Sequence, residues 1–340
     1  MTVFEEMIES AWIPDIAIRI ILRIIIYFTK LKVDSDSEIK KLQLIQHLKS
    51  SEINLNVKDS NTPYEFPTDF FTSFLGQSLK YSSCYFDKYT LNLDEAEINM
   101  FEIYIKQSGL KDGMTILDIG CGWGSFCMYL IKQFPNCKIL GLTHSNAQVN
   151  YIKDFCKLNG IKNLEAINAD VCTVEISKKF DRIFAVEVLE YMKNYELLFQ
   201  RLSNWLTDDG YLYTHVFAHR DIPFELIAPD QDSWISKFFC RGGTLPSQDL
   251  FLWFQKDLLV MNRWTFDGTH YSKTANEWIK NMDENQSTIL TIFKNVYGSN
   301  QEAFVWFRRW RFFVMLVAEL FGSNNGHDWL IVHYLMKRRK

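Results

Sequence analysis

The stretch TILDIGCGWGSFCMYL places an acid and three glycines between two apolar runs. Asp118 comes first, and Gly120, Gly122 and Gly124 follow at alternate positions. The apolar run before them predicts a short buried strand, and the run after them predicts the start of a helix. A chain that turns through glycines from a strand into a helix brings backbone N–H groups close to a ligand. The spacing therefore predicts a ligand site at this turn.

Two kinds of cofactor could bind at such a turn, a hydride-carrying dinucleotide or S-adenosylmethionine. The hydride-carrying dinucleotides are bound by the pattern GxGxxG, but here the third glycine comes one residue early and an acid precedes the turn. S-adenosylmethionine (SAM) presents an ammonium and a carboxylate group in place of a pyrophosphate. Asp118 suits the ammonium group, and Cys121 lies within the turn and is expected to contact the cofactor. The pattern therefore favours SAM.

Residues after the next two predicted strands fit the rest of this cofactor. Asp170 is placed to accept a hydrogen bond from the adenine amino group, with the backbone N–H of Val171 beside the ring. The alternative for Asp170 is a helix N-cap. The second strand of such folds often ends in an acid that holds the ribose hydroxyls. Here only the neutral side chains of Thr143, Ser145 and Gln148 are available, so we expect these to bind the ribose.

An alternation of strands and helices must position these residues. The predicted strands are 115–119, 138–143, 164–168, 180–187 and 210–216. The predicted helices are 100–109, 124–133, 146–158 and 191–206. Such alternation predicts an α/β fold with a parallel sheet between layers of helices. The predicted domains are a helical extension at 1–99, a SAM-binding core at 100–217, and a substrate cap with closing strands at 218–340.

The ends of the chain carry further elements of this prediction. Residues 10–80 are predicted to be mostly helical, with a polar break at 51–67. After the fifth strand we expect a strand at 257–264, helices at 273–294 and 301–321, and a closing strand at 328–339.

Composition excludes some classes of protein. The 340 residues are 47% apolar and carry a formal net charge of −4, so nothing suggests a nucleic-acid partner. The seven cysteines show no metal-binding spacing, which predicts reduced thiols in a cytoplasmic protein without a metal site. The apolar stretch 16–28, about 13 residues, is shorter than the roughly 20 that span a bilayer. Because Arg19 and Arg23 share one helix face, we expect an amphipathic helix packed on the domain, with interfacial membrane contact as the alternative.

The chain resembles the plant coclaurine N-methyltransferase group, within the wider family of cyclopropane fatty acid synthases. The segments that carry the resemblance are WIPDIAIRI, LKYSSCYF, LDIGCGWGSF, VEVLEYMKNY, RGGTLPS, GTHYSKTANEW and VAELFGSNNGHDW. The resemblance implies a SAM-dependent N-methyltransferase of a small, aromatic or alkaloid-like amine. It also implies the class I methyltransferase fold, a Rossmann-like seven-stranded sheet with a helical N-terminal extension and a helical insertion after the fifth strand. Tyr81 and Ser82 match positions that touch the cofactor in that family.

Two family features are altered in this sequence. The family pattern Glu-x-x-Glu-His, whose last pair handles the amine, is here Glu187, Glu190 and Tyr191 with the same spacing. A late cysteine that marks the cyclopropane synthases is here Val317. The first change puts a simple glutamate–histidine base in doubt.

Methyl transfer to an amine needs a neutral nitrogen, because an ammonium ion is not nucleophilic. Glu190 follows the end of a predicted strand, where open α/β sheets bind ligands, and it is the first candidate to hold and deprotonate the amine. Tyr191, with an ordinary pKa near 10, can donate a hydrogen bond or present its ring to a cation. Glu187 and His215 are further candidates at the same edge. For each, a surface, capping or packing role is the alternative.

A second set of residues supports a different activity. Cyclopropane synthases bind a bicarbonate ion, and the residue types that hold it match Cys84, Glu190, His215 and Tyr271. A lipid-modifying enzyme is therefore the runner-up, and a cofactor-binding protein without activity is a third hypothesis. Seven aromatic residues are expected to be mostly core, with a few lining an amine pocket: Trp234, Phe238, Phe239, Trp253, Phe254, Trp306 and Phe307. The expected partners are a small amine and a second copy of the chain, with no nucleic acid and no integral membrane segment.

Overall fold

The computed structural model describes residues 8–9, 13–31, 37–50, 66–225, 234–239 and 242–340. Nine strands occur in these residues: β1 (Thr115–Ile119), β2 (Lys138–Thr143), β3 (Leu164–Asn168), β4 (Phe180–Val186), β5 (Leu206–His219), β6 (Phe224–Glu225), β7 (Thr244–Leu245), β8 (Leu258–Asp267) and β9 (Trp329–Arg338). Seven of them form one sheet in the order β3-β2-β1-β4-β5-β9-β8, and β6 pairs only with β7.

Eleven α-helices are described: α1 (Asp15–Leu31), α2 (Ser37–Ser50), α3 (Thr68–Thr72), α4 (Leu93–Ser108), α5 (Ser125–Gln133), α6 (Asn146–Leu158), α7 (Tyr195–Trp205), α8 (Trp234–Phe238), α9 (Thr269–Glu284), α10 (Gln286–Tyr297) and α11 (Asn300–Gly322). Short 3-10 turns lie at Leu189–Tyr191, Leu250–Trp253 and Ser323–Gly326.

The sheet is parallel from β3 to β5, and β9 runs antiparallel between β5 and β8. Its central strands are buried on both faces; Ile183, Phe184 and Ala185 of β4 are all at 0% exposure. Such strands are expected to be continuous apolar runs rather than alternating ones. The predicted α/β fold is confirmed, and the carboxyl ends of β1 to β5 lie along one edge.

The strand and helix predictions are confirmed in the core, with differences outside it. The helix predicted at 273–294 is two helices, because Asn285 ends α9 and starts α10. Strand β5 begins at Leu206, directly after α7. The prediction of mostly helix before residue 80 is wrong for 73–80, which form turns and loop after the short α3. Most of the predicted break at 51–67 lies outside the described residues.

Helix α1 packs on the domain as expected, through Ile18 and Leu22, which are 4% and 3% exposed. Its arginine face turns inward, because Arg19 and Arg23 each lie 2.5 Å from the buried Glu319 of α11. A second face of the helix, the isoleucine face, consists of Ile16, Ile20 and Ile24. It points outward, and these residues are 70%, 50% and 50% exposed. None of the helices in the described ranges is long and apolar enough to cross a membrane.

Six of the cysteines are free thiols in the structure, and five of these are buried. The seventh, Cys240, lies outside the described residues.

Candidate active site

The glycine turn after β1 has a backbone that favours glycine at three positions. Gly120, Gly122 and Gly124 have φ values of +69°, +54° and +75°, a region that costs other residues about 1–2 kcal/mol each. A Cβ on Gly120 would lie 2.8 Å from the Val188 side chain. A Cβ on Gly122 would meet no atom within 4 Å. Gly122 therefore faces open space, where a ligand can approach the backbone.

That space is a cavity of about 600 Å³, including its opening to solvent. Seven residues expected to bind the cofactor line it: Tyr81, Ser82, Asp118, Gly120, Cys121, Gly122 and Gln148. Glu187, an expected catalytic residue, also lines it. Candidates from the sequence therefore make up half of the residues that line this cavity.

Asp118 gives the cavity its acidic group. The side chain is 4% exposed, and its Oδ2 accepts a hydrogen bond of 3.2 Å from the thiol of Cys127. Burial raises the pKa of Asp118 to about 7. A ligand ammonium group would offset this desolvation, so the site fits the ammonium end of SAM.

The residues expected to bind the ribose and adenine are mostly engaged in hydrogen bonds within the chain. Thr143 donates a hydrogen bond to the side-chain oxygen Oε1 of Gln148, and Ser145 caps α6 by accepting from the Gln148 backbone N–H at 3.4 Å. Gln148 alone of these three reaches the cavity wall. Asp170 is half-buried after β3 and accepts from the Cys172 N–H at 2.7 Å, so it caps its own turn. That contact occupies one carboxyl oxygen of Asp170.

The remaining two predicted residues, Gly124 and Val171, do not line the cavity. Gly124 begins α5, and a Cβ there would lie 2.7 Å from Ile152. Val171 belongs to a buried apolar cluster, and its backbone carbonyl accepts from Arg201 at 2.8 Å. Both positions therefore have a packing reason for their residue type.

The loop before α4 is fixed by one buried acid. Glu97 of α4 accepts hydrogen bonds from the backbone N–H groups of Ser78 at 2.8 Å and Lys80 at 3.2 Å. Burial raises the pKa of Glu97 to about 7. A Cβ on Gly76 would lie 2.6 Å from this carboxyl group. These contacts present Tyr81 and the residues after it to the cavity.

Lys80 lines the cavity and was not among the residues expected from the sequence. It is 1% exposed, and its Nζ lies 2.5 Å from Ser82 Oγ and 2.6 Å from the Ser83 carbonyl. Burial lowers its pKa, while the acids Glu187 and Glu97 act in the opposite direction. Lysine is mostly exposed in proteins, and no local pattern marks this one as an exception.

Glu187 lies at the end of β4 with its carboxyl group fully engaged. Oε1 accepts from the Ser83 N–H at 2.8 Å and lies 3.0 Å from His215 Nε2. Oε2 accepts from the Tyr271 hydroxyl at 2.9 Å. Burial raises the pKa of Glu187 to about 7. Its φ of +49° is strained for a non-glycine residue, and such strain tends to collect at functional sites.

Glu190 lies one 3-10 turn further on and is 2% exposed. Its Oε1 accepts from the Phe217 N–H at 2.8 Å. Its Oε2 is buried and has no hydrogen-bond partner among the described residues. Burial, together with the charge of Glu187, raises the pKa of Glu190 well above its ordinary value. A buried oxygen of this kind is costly unless it receives a donor.

The other expected chemical residues are divided between the site and the core. Tyr191 is half-buried, packs against the core cluster around β4 and β5, and does not line the cavity. His215 is fully buried and contacts Glu187 directly. Cys84 is buried beside Ser82, 3.6 Å from its carbonyl. The four-residue set of the cyclopropane synthases therefore gathers largely around Glu187, a residue outside that set.

The expected amine-pocket aromatics are mostly core. Trp234, Phe239 and Phe307 belong to the cluster between α1, α9 and α11, and Trp253 is 42% exposed. None of the seven lines the cavity beside Gly122. The aromatic residues that do so are Tyr81, Phe101, Tyr104, Trp123 and Phe126.

The seven-stranded sheet with its last strand inserted antiparallel, and the glycine turn with a buried acid, define a class I SAM-dependent methyltransferase. The mycolic acid cyclopropane synthetase family matches residues 51–324, and the chain belongs to this family. A (S)-coclaurine N-methyltransferase of Papaver somniferum is 36% identical over 301 residues, covering 88% of this chain and 86% of that protein.

A solved structure and a bacterial relative agree with the assignment of the chain to this family. A crystal structure of coclaurine N-methyltransferase bound to N-methylheliamine and SAH is 33% identical, with a TM-score of 0.92 and 98% of each chain covered. The cyclopropane-fatty-acyl-phospholipid synthase of Escherichia coli is more distant, at 25% identity over 79% of this chain and 65% of that protein. The predicted cofactor and enzyme class are thereby confirmed.

Proposed function

We propose that the chain transfers the methyl group of SAM to the nitrogen of a small, cyclic, alkaloid-like amine. The unpartnered buried Oε2 of Glu190, one turn from Glu187, carries this proposal. An amine N–H is the donor that this oxygen lacks. The similarity to coclaurine N-methyltransferases over nearly the whole chain supports the same substrate class.

Two buried acids suit a substrate that arrives as a cation. When bound, SAM supplies an electrophilic methyl group on a positively charged sulfur. Asp118 and the open backbone at Gly122 hold it. Glu190 orients the amine through Oε2, and Glu187 takes up the proton that must leave the nitrogen before it can attack. Both side chains have little access to solvent, at 2% exposure for Glu190 and 7% for Glu187, which limits competition from water during the reaction.

The lipid-modifying activity is less well supported by the geometry. The Ser83 N–H, Tyr271 hydroxyl and His215 ring are suitable partners for a small anion, and the Glu187 carboxyl group already occupies that position. A free bicarbonate ion would compete with a group that the chain itself supplies. The amine activity needs no such ion.

The experiment that tests this is incubation with methyl-labelled SAM and either a panel of cyclic amines or vesicles of unsaturated phospholipid. Label in an amine, lost in Glu190→Gln but not in Glu277→Gln, supports the proposal. Glu277 is a half-exposed glutamate on α9, paired with Lys280 at 3.9 Å. Label in lipid would favour the runner-up. Binding of SAM without transfer to either would favour the inactive cofactor-binding protein.

A homodimer and a cytoplasmic location are also proposed. The exposed isoleucine face of α1 supports the first, and the free thiols support the second. Sedimentation velocity at micromolar protein tests the dimer, and a single 40.2 kDa species would contradict it.

A further inference from the structure

We propose that His215 and His333 form a proton relay from Glu187 to the half-buried Gln107, and that this relay carries away the proton released when an amine is methylated. The relay depends on the proposed N-methyltransferase function, because only an amine that arrives as an ammonium ion gives up such a proton.

The relay is a chain of hydrogen-bond contacts between buried groups. Glu187 Oε1 lies 3.0 Å from His215 Nε2, and His215 Nδ1 lies 3.0 Å from His333 Nε2. His333 Nδ1 lies 2.9 Å from Gln107 Oε1 and 2.6 Å from the Tyr213 hydroxyl. Both nitrogens of each ring are therefore engaged, one towards the active site and one away from it.

The fold holds the two rings in this order. His215 of β5 and His333 of β9 are directly opposite one another in the antiparallel register. Both are at 0% exposure, and their ring centroids are 4.7 Å apart. The Phe266 ring packs on His333 at 4.7 Å, and the Tyr104 hydroxyl bonds to His215 Nδ1 at 2.7 Å. Gln107 of α4, at the far end, is partly exposed.

Two proton arrangements satisfy these contacts. When Glu187 is ionised, His215 donates to it through Nε2, and His333 donates through Nε2 to His215. When Glu187 is protonated, both rings carry their proton on Nδ1, and His333 donates to Gln107. The amide of Gln107 and the hydroxyl of Tyr213 can each donate or accept, so the outer end suits both arrangements.

A neutral imidazole can accept a proton on one nitrogen and release one from the other. Burial lowers the pKa of both His215 and His333 well below the ordinary value. Neither ring therefore stores the proton. His215 passes it to His333, and His333 releases it to solvent water beside the partly exposed Gln107, whose amide is too weak a base to take it up. An outward passage converts both rings from the Nδ1 to the Nε2 tautomer, and ring rotation restores them.

The chemistry requires one proton to leave. In methylation of an ammonium ion, an N–H bond breaks, an N–C bond forms, and the S–C bond breaks with its electron pair left on sulfur. The products are a methylated ammonium ion, a thioether and one proton. That proton neutralises the Glu187 carboxylate, which then no longer offsets the charge of the cationic product, so departure of the proton is favourable.

Several titratable groups other than His215 face Glu187 from the surrounding elements: Lys80, Cys84, Tyr104, Glu190 and Tyr271. Burial shifts the pKa of each of them towards its neutral form. Among these neighbours, His215 is the one that continues by hydrogen bonds towards the partly exposed Gln107.

The first test compares two cyclic amines of the same skeleton, one strongly basic and one with electron-withdrawing substituents that keep it neutral at pH 7. His333→Gln keeps hydrogen-bonding groups but cannot relay a proton. We expect kcat for the basic amine to fall roughly 10–100-fold, part of the usual span for proton transfer. For the neutral amine we expect a change of less than about threefold, because it has no proton to release before attack.

Two further variants make this test independent of folding defects. Gln107→Leu removes the outer end while the Tyr213 hydroxyl remains as a partner of His333 Nδ1, and we expect the same selective loss. His270→Gln is the control, because His270 is half-buried on α9 and accepts from the Phe86 N–H outside the relay. An equal loss with both amines would show a structural role, and no loss with either would also overturn the relay.

A readout without turnover separates this proposal from the proposed function. In histidine-labelled protein, the ring ¹⁵N shifts of His215 and His333 should exchange between the two neutral tautomers as Glu187 titrates near pH 7. Glu187→Gln should abolish this change. Shifts that do not depend on pH would overturn the relay even in an active amine methyltransferase. A tautomer exchange without amine turnover would instead contradict the proposed function.

Discussion

Replacement of Glu190 by glutamine isolates the charge of this carboxyl group from its shape. Oε1 accepts from the Phe217 N–H at 2.8 Å, and a glutamine carbonyl can keep that bond. The variant cannot ionise, whereas the wild-type carboxyl group can lose its proton when an ammonium ion binds beside it. At about 4 Å and an effective dielectric constant near 20, an ammonium–carboxylate pair is worth up to about 4 kcal/mol. This energy corresponds to a factor of up to about 10³ in the rate, at about 1.4 kcal/mol for each factor of ten.

We therefore expect kcat for amine methylation in Glu190→Gln to fall by about 10²–10⁴, with SAM affinity unchanged. Tyr191→Phe should cost less than tenfold, because a neutral hydrogen bond contributes about 1 kcal/mol. Tyr191→His restores the family pattern and should keep activity or improve it at lower pH, since an imidazole titrates near 6.5. Steady-state kinetics at saturating amine and several pH values, with SAM binding by calorimetry, measure all three.

The raised pKa of Glu190 also predicts how Glu190→Gln changes the stability of the fold. Because its pKa is raised by burial, the folded chain retains a proton that the unfolded chain loses above its ordinary pKa. Folding stability is then lost as the pH rises past that value. Glu190→Gln removes this penalty and should melt at a higher temperature than the wild type at pH 8. If Tyr191→Phe were the more damaging variant at every pH and Glu190→Gln stayed near wild type, Glu190 would not bind and orient the amine.

Three other predictions concern the cofactor and the helical cap. Gly122→Ala should abolish SAM binding in calorimetry. Gly160→Ala is the control, because Gly160 has a φ of +65° and is also open around its Cβ. This control variant carries the same backbone strain and should bind SAM normally. SAM affinity should rise with pH from about 5.5 towards 7, because the pKa of Asp118 is about 7 and the cation binds its ionised form. Asp118→Asn should bind weakly and without this slope. Glu319→Gln leaves two partly exposed arginines facing a neutral group and should lower stability by about 1–3 kcal/mol in denaturant unfolding, against at most about 1 kcal/mol for the surface control Glu277→Gln.

The sequence predicted the elements that depend on local patterns. The strand before Asp118 and the glycines after it have a period and a composition that few other structures allow. The carboxyl ends of parallel strands meet at one edge, which is why Glu187 could be placed near the cofactor turn from its position after β4. The same rule placed His215 at that edge.

The residues that the sequence did not reveal depend on tertiary contacts. His333 comes from a closing strand more than a hundred residues after His215, and only the antiparallel register of β5 and β9 puts them side by side. A histidine inside the apolar run LIVHYLM was the available signal. Lys80 gave none, since its burial follows from the loop that Glu97 fixes. Tyr191 was expected at the site, but its ring packs against the apolar core.

The buried acids explain how one small site can accept two cations. Asp118 and Glu187 both have pKa values raised to about 7 by burial, so near neutral pH each holds a proton for part of the time. A bound cation favours the ionised form, and binding therefore replaces a proton with a ligand charge. The cavity stays close to neutral throughout, which limits the cost of desolvating two like charges side by side. An exposed pair of glutamates would attract the same amine but could not take a proton from it. Water would keep the pKa values of the glutamates near the ordinary range, far below the pKa of the amine.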